Sequence, residues 1–108
     1  MSQKKKQVRS AFRNAVFQRD RYRCVGCGYQ STPEKALDTH YITDRNEMPN
    51  GGYAAENGVS LCKAECYEKA KSHHKGEPVP PGFSPAELYA KIGSSYQKAV
   101  RASKKLSA

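Results

Sequence analysis

The sequence lacks any apolar run near the ~20 residues that a membrane-spanning helix requires, so no membrane span is expected. Its start, MSQKKKQVRS, is basic but has no apolar segment behind it, so a secretory leader is not expected either. Acidic residues are scarce. The chain has 10 Asp and Glu against 19 Lys and Arg, a net charge of +9, and an isoelectric point near 9.5. A water-exposed protein this basic is suited to a polyanion, with nucleic acid the first candidate. The bland alternative is a well-solvated basic surface. No internal repeat is visible. A chain of 108 residues reads as one small domain with a small core, the situation in which a metal staple compensates.

Against these absences stand four cysteines. Cys24 and Cys27 are spaced C-x2-C, and Cys62 and Cys66 are spaced C-x3-C. Two such knuckles suit a tetrahedral thiolate site, each bringing two sulfurs to ~2.3 Å from one Zn²⁺. Gly26 and Gly28 permit the tight backbone of the first knuckle. Arg23 and Lys63 flank the quartet and favour thiolates. Disulfides and free thiols remain the alternatives, but with no leader expected the chain is placed in a reducing cytoplasm, of bacterial or phage type, where metal is favoured.

Along the chain, residues 1–9 read as a basic disordered tail. Residues 10–20 read as a short helix capped by Ser10, burying Phe12, Val16 and Phe17. Residues 31–36 read as a loop or helical turn. LDTHYI (37–42) alternates and reads as a strand, VSLC (59–62) as a second, and 63–74 as a helix. Three prolines make 75–83 a linker. Residues 84–108 read as one helix, started by Ser84, Pro85 and Glu87. Leu88, Ile92, Tyr96, Ala99 and Leu106 would form its apolar side; Lys91, Lys98, Arg101 and Lys105 fall opposite. Those cations either solubilise a surface helix or track a nucleic-acid backbone.

FRNAVFQRDRYRCVGC, LDTHYITDRNEMPNGGY, ENGVSLC and ECYEKA together resemble the HNH endonucleases, in their four-cysteine, zinc-stapled branch. The resemblance covers residues 10–74. It implies an α+β fold: a small ββα-metal finger with a four-cysteine zinc site, here flanked by an N-terminal helix and a C-terminal basic amphipathic helix. It implies hydrolysis of DNA phosphodiester bonds with Mg²⁺, Mn²⁺, Ni²⁺ or Zn²⁺ at a second site. His40 matches the position that binds that cation, Tyr41 the general-base position, and Asn57 the residue that orients the base or binds the metal.

Three positions depart from the family pattern. Tyr41 and Tyr67 stand where histidine is usual, and Lys71 stands where a histidine or acid is usual. Positions 67 and 71 share one helix face. A neutral phenol is a weak ligand there and an ammonium repels a cation. Tyrosine ionises near ~10 against ~6.5 for histidine, about three units from useful base chemistry at neutral pH. His74, or its neighbour His73, is a candidate replacement ligand, and Asp38, on the strand face of His40, another. Arg45 and Lys71 are alternatively a phosphate clamp needing no metal.

Three functions follow as expectations: a metal-dependent endonuclease with impaired activity, an HNH-fold zinc protein that binds DNA without cutting, and a zinc module for protein contact. DNA is the expected partner in the first two. Monomer and dimer both remain open.

Overall fold

A computed structural model describes residues 2–31, 36–63 and 65–106, with side chains from residue 6 onward. The chain runs α1 (Ser2–Arg19), β1 (Leu37–Tyr41), three short 3-10 turns over 45–57, β2 (Gly58–Cys62), α2 (Cys66–His74), α3 (Pro85–Lys91) and α4 (Tyr96–Lys104). The protein is a small compact α+β molecule, with a two-stranded antiparallel sheet and four helices among the described residues. Among the described residues, no helix is long and apolar enough to cross a membrane.

The sheet pairs Leu37 with Cys62 and His40 with Val59. This register puts the C-terminal end of β2, with its cysteine, opposite the first residue of β1. β2 is almost wholly inside: Gly58, Val59, Ser60 and Leu61 are buried. Both faces of so short a sheet are therefore covered. α2 packs on it from one side and α1 from the other. Leu37, Ile42, Val59, Leu61, Cys66, Ala70 and Leu88 make the centre of the core.

α1 starts at Ser2 rather than at Ser10, so the stretch expected to be a tail is helical backbone. Lysine and glutamine are good helix formers, and nothing in residues 2–9 breaks the helix. Ser10 is an exposed mid-helix residue rather than a cap. Phe12 and Val16 are buried as expected, with Phe17 only partly so. At the helix end, Arg19 makes two parallel bonds of 2.8 Å to Asp20. The same guanidinium donates to the carbonyls of Ala55 and Gly58, each at 2.7 Å. Asp20 accepts from the Ser60 amide at 2.9 Å. This charge-assisted network joins α1 to β2 and escaped the sequence reading, because an Arg-Asp dipeptide carries no signal of its own.

The single helix expected over 84–108 is two. Its start is as read: Ser84 Oγ accepts from the Glu87 amide at 3.2 Å and Glu87 returns to the Ser84 amide at 3.3 Å. The break comes at Gly93, whose φ of 70° ends α3 in the left-handed conformation glycine favours. Ser95 then caps α4, accepting from the Lys98 amide at 3.1 Å. Leu88 and Ala99 stay buried, but Tyr96 is exposed. The expected linker is no free tether, since Val79 and Phe83 pack on the core. α2 begins at Cys66, three residues later than expected, because the second knuckle occupies the chain before it. The loop expected at 31–36 lies mostly outside the described residues.

Candidate functional site

The four cysteines converge. Cys24 and Cys27 sit on the loop after α1, Cys62 ends β2, and Cys66 opens α2. Their sulfurs all lie within 4.8 Å of one another, and Cys27 Sγ is 3.9 Å from Cys62 Sγ. For Zn–S bonds of ~2.3 Å, a tetrahedron puts sulfurs ~3.8 Å apart. All four are free thiols. The quartet is thus positioned to bind a metal ion such as zinc.

Local backbone explains the convergence. In the first knuckle the Cys24 amide bonds the Tyr29 carbonyl at 2.8 Å and the Gly28 amide bonds the Cys24 carbonyl at 2.7 Å. The Val25 amide reaches the Ser60 carbonyl at 2.9 Å, fixing the loop to β2. Amides also point at sulfur: Cys62 N to Cys24 Sγ at 3.2 Å and Cys66 N to Cys62 Sγ at 3.5 Å. These donors favour thiolate. Burial pushes the Cys62 thiol up, yet the Cys66 and Glu65 amides and the neighbouring thiols bring it down to about 7. Burial raises Cys66, with the neighbouring thiols adding to it. A metal held by all four replaces this proton sharing.

A second concave region lies between β1 and α2. It is a cleft of about 320 Å³ lined by His40, Tyr41, Asp44, Arg45, Asn46, Tyr67, Lys71, His74 and Lys75. His40 is only 4 % exposed. Burial, with His74, His73 and Lys71 nearby, lowers its pKa to about 3, so it is a neutral imidazole in ordinary buffer. The His40 and His74 rings are 5.1 Å apart and His40 meets Tyr67 edge-on at 6.0 Å. His74 Nε2 donates to the Tyr41 carbonyl at 3.0 Å, and its Nδ1 is 3.9 Å from Asp44 Oδ2.

The structure thus brings His40, Tyr41, Arg45, Tyr67, Lys71 and His74 together. It does not bring in Asp38 or Asn57. Asp38 is engaged by Arg13 at 2.9 Å and by the Thr39 amide. Asn57 is fully buried. Its oxygen accepts from the Thr43 amide at 3.0 Å and Tyr89 Oη at 2.8 Å. Its nitrogen donates to the carbonyls of Thr43 and Gly52 at 3.1 and 3.3 Å. All its side-chain hydrogen bonds go to the 43–57 turns and to Tyr89 of α3. His73 is exposed.

Tyr41 lies flat on Phe12, centroids 4.9 Å apart. Burial raises its pKa and Tyr53 adds to that, outweighing Arg45, Arg9 and Arg13. Burial likewise raises Tyr67, with Asp38 and Glu68 adding to it. Lys71 Nζ sits 5.3 Å from the Tyr67 ring centre and 3.8 Å from Glu68. Among the described residues, the cysteine quartet is the only group of three or more Cys, His, Asp or Glu side chains gathered within metal reach. The second, catalytic cation that the resemblance implies therefore does not fit this cleft as arranged.

The expected basic helix face is only half formed. Lys98, Arg101 and Lys105 line one groove together with α1. Lys91 lies on the other side of the Gly93 break, with its ammonium 5.3 Å from the Phe83 ring centre. Sequence reasoning missed Asp44, Tyr53 and Arg9. Asp44 sits three residues beyond Tyr41 and reads as an ordinary turn acid. Only the fold carries it back to His74. The chain matches no family model, curated protein or solved structure.

Proposed function

We propose that this chain is an HNH-type ββα domain, stapled by zinc at its four cysteines, that binds DNA and receives a backbone phosphate at the His40 cleft. The observation that carries the reading is the composition of that cleft. A neutral imidazole lies between β1 and α2, and Arg45, Lys71 and Lys75 stand round it, against one lining carboxylate, Asp44, and Glu68 beside the two lysines. Such a site attracts a phosphodiester and discourages a divalent cation. The net charge of +9 supports the same partner, through counterion release. Zinc does its work at a distance. It fixes the loop after α1 to the start of α2, and so sets the spacing of β1 and α2 that makes the cleft.

Hydrolysis is the second reading, favoured by one observation: His40, His74 and Asp44 lie close enough that a small shift of side chains would gather them. In this reading Lys71 and Tyr67 are what weakens the enzyme.

Supercoiled plasmid tested with Mg²⁺, Mn²⁺, Ni²⁺ or Zn²⁺ separates the readings. The comparison is the unmodified chain against the Tyr41→His, Tyr67→His, Lys71→Glu triple variant. A mobility shift without cutting, with cutting gained by the triple variant, is the expected result. Cutting by the unmodified chain that a chelator abolishes establishes hydrolysis instead. No shift even at low salt overturns both readings of the cleft.

A further inference from the structure

α1 and α4 leave an open groove between them, about 770 Å³ in volume. Its floor is mostly apolar, formed by Val8, Ala11 and Ala15 of α1, by Ala102 and Leu106, and by the 53–56 segment between the two helices, where Glu56 is the one carboxylate of the lining. Lys98 and Arg101 of α4 and Lys105, which caps its C-terminal end, stand along it, all exposed and spaced three and four residues apart. Among the described residues none of the three is in an ion pair.

Tyr53 lines the groove as well. Arg45 donates to its hydroxyl at 3.0 Å; burial would raise the Tyr53 pKa, but Arg9 and Arg45 together hold it below its ordinary value. Two guanidiniums thus lie near one phenolic oxygen, and neither is in an ion pair among the described residues, although the Asp44 carboxylate acts on Arg45 from further away. Tyr41, in the His40 cleft, is 5.9 Å from Tyr53, ring centre to ring centre. The groove and the cleft are therefore neighbours across a two-tyrosine ridge flanked by arginines.

An apolar floor beside a row of cations matches an unpaired strand. Bases lie on the floor and phosphates meet the lysines and arginines. A duplex buries its base faces in its own stack, so it would use the cations and leave the floor bare. An acidic peptide would also satisfy the cations, but the ridge continues into a second phosphate-suited cleft, which a polymer of phosphates uses and a peptide does not. We propose that the α1–α4 groove is a binding site for single-stranded nucleic acid, with Lys98, Arg101 and Lys105 along the strand and Arg9 and Arg45 at its Tyr53 end. This rests on the nucleic-acid reading above for the kind of partner, and not on hydrolysis.

Fluorescence anisotropy on the full, zinc-loaded chain tests it at one fixed low salt. The probes are labelled oligodeoxyuridylate, labelled oligouridylate and a mixed-sequence duplex of equal length. At least one strand is expected to bind about tenfold or more tighter than the duplex. Which of the two strands binds better assigns the sugar. The Lys98→Glu, Arg101→Glu double variant is expected to weaken strand binding about tenfold or more, and the milder Lys98→Gln, Arg101→Gln pair to weaken it less. Ala15→Glu, at an exposed floor position, should weaken the strand more than the duplex. Equal affinity for strand and duplex, or parental strand binding by both double variants, overturns the proposal. Displacement of the strand by polyglutamate at equal charge overturns it too, since charge alone would then suffice. Failure of the cleft reading looks different: plasmid is neither shifted nor cut while strands still bind.

Discussion

His74 Nε2 lies 3.0 Å from the backbone carbonyl of Tyr41, thirty-three residues away in sequence. A carbonyl only accepts, so this nitrogen carries the proton, and the bond ties the last turn of α2 to the end of β1. His74 thus closes the cleft as a strap. Replacing it with alanine is expected to cost about 1 kcal/mol. His73→Ala, at an exposed neighbour, should cost less than half of that. Urea melts of the two variants make the check, and equal losses would remove the strap.

His40 supplies a pH dependence. Its folded pKa is lowered to about 3, first by burial and then by His74, His73 and Lys71. The unfolded imidazole takes its proton near ~6.5. Between these values the unfolded chain binds the extra proton. Stability from this group is therefore complete above pH ~6.5 and is lost progressively as pH falls towards 3, up to about 5 kcal/mol. Denaturant melts of the parent and His40→Gln across this range should differ by this slope. Parallel pH profiles would show that the burial of His40 is not what makes the fold acid-sensitive.

The cysteine quartet is expected to hold one metal ion per chain, with zinc preferred. Removal by a chelator should unfold the molecule cooperatively, since metal affinity is folding energy in a domain this small. A finer test is Gly26→Ala. A Cβ at Gly26 would come within 2.8 Å of Cys66 Sγ and 2.9 Å of the Phe83 ring. The variant should lose metal affinity about tenfold or more, comparable to disturbing the surroundings of a metal ligand elsewhere. Elemental analysis and metal competition read both outcomes.

Asn57 offers a test of role. Its four hydrogen bonds serve the turns over 43–57 and Tyr89. Asn57→Ala is therefore expected to destabilise by about 3 kcal/mol, through buried partners left unpaired. Tyr89→Phe should cost about 1 kcal/mol for its share. A fully stable Asn57→Ala chain that no longer binds or cuts DNA would place the residue in the chemistry instead.

How much of this was legible in the sequence varies from residue to residue. The C-x2-C and C-x3-C spacings announced the quartet because short knuckles constrain where sulfur can go. The strand at 37–41 and the Ser84–Glu87 cap were readable for the same reason, since alternation and capping are local. The two-helix C-terminus was harder. Gly93 sits in a helical pattern, and only the docking of α3 and α4 on different parts of the core decides that it takes a left-handed turn.

By itself, then, the sequence determined the local and chemical facts: a basic charge balance, two cysteine knuckles, a histidine on a strand and tyrosines at positions 41 and 67. Tertiary structure alone decided which of these meet. It sent Asn57 inward to hold turns, turned Asp38 to Arg13, brought Asp44 and His74 into one cleft with His40, and packed α4 on the turns over 49–57, across a groove from α1. The physical reason is that contacts between residues tens of positions apart depend on packing the whole core, and no periodicity or spacing encodes them one segment at a time.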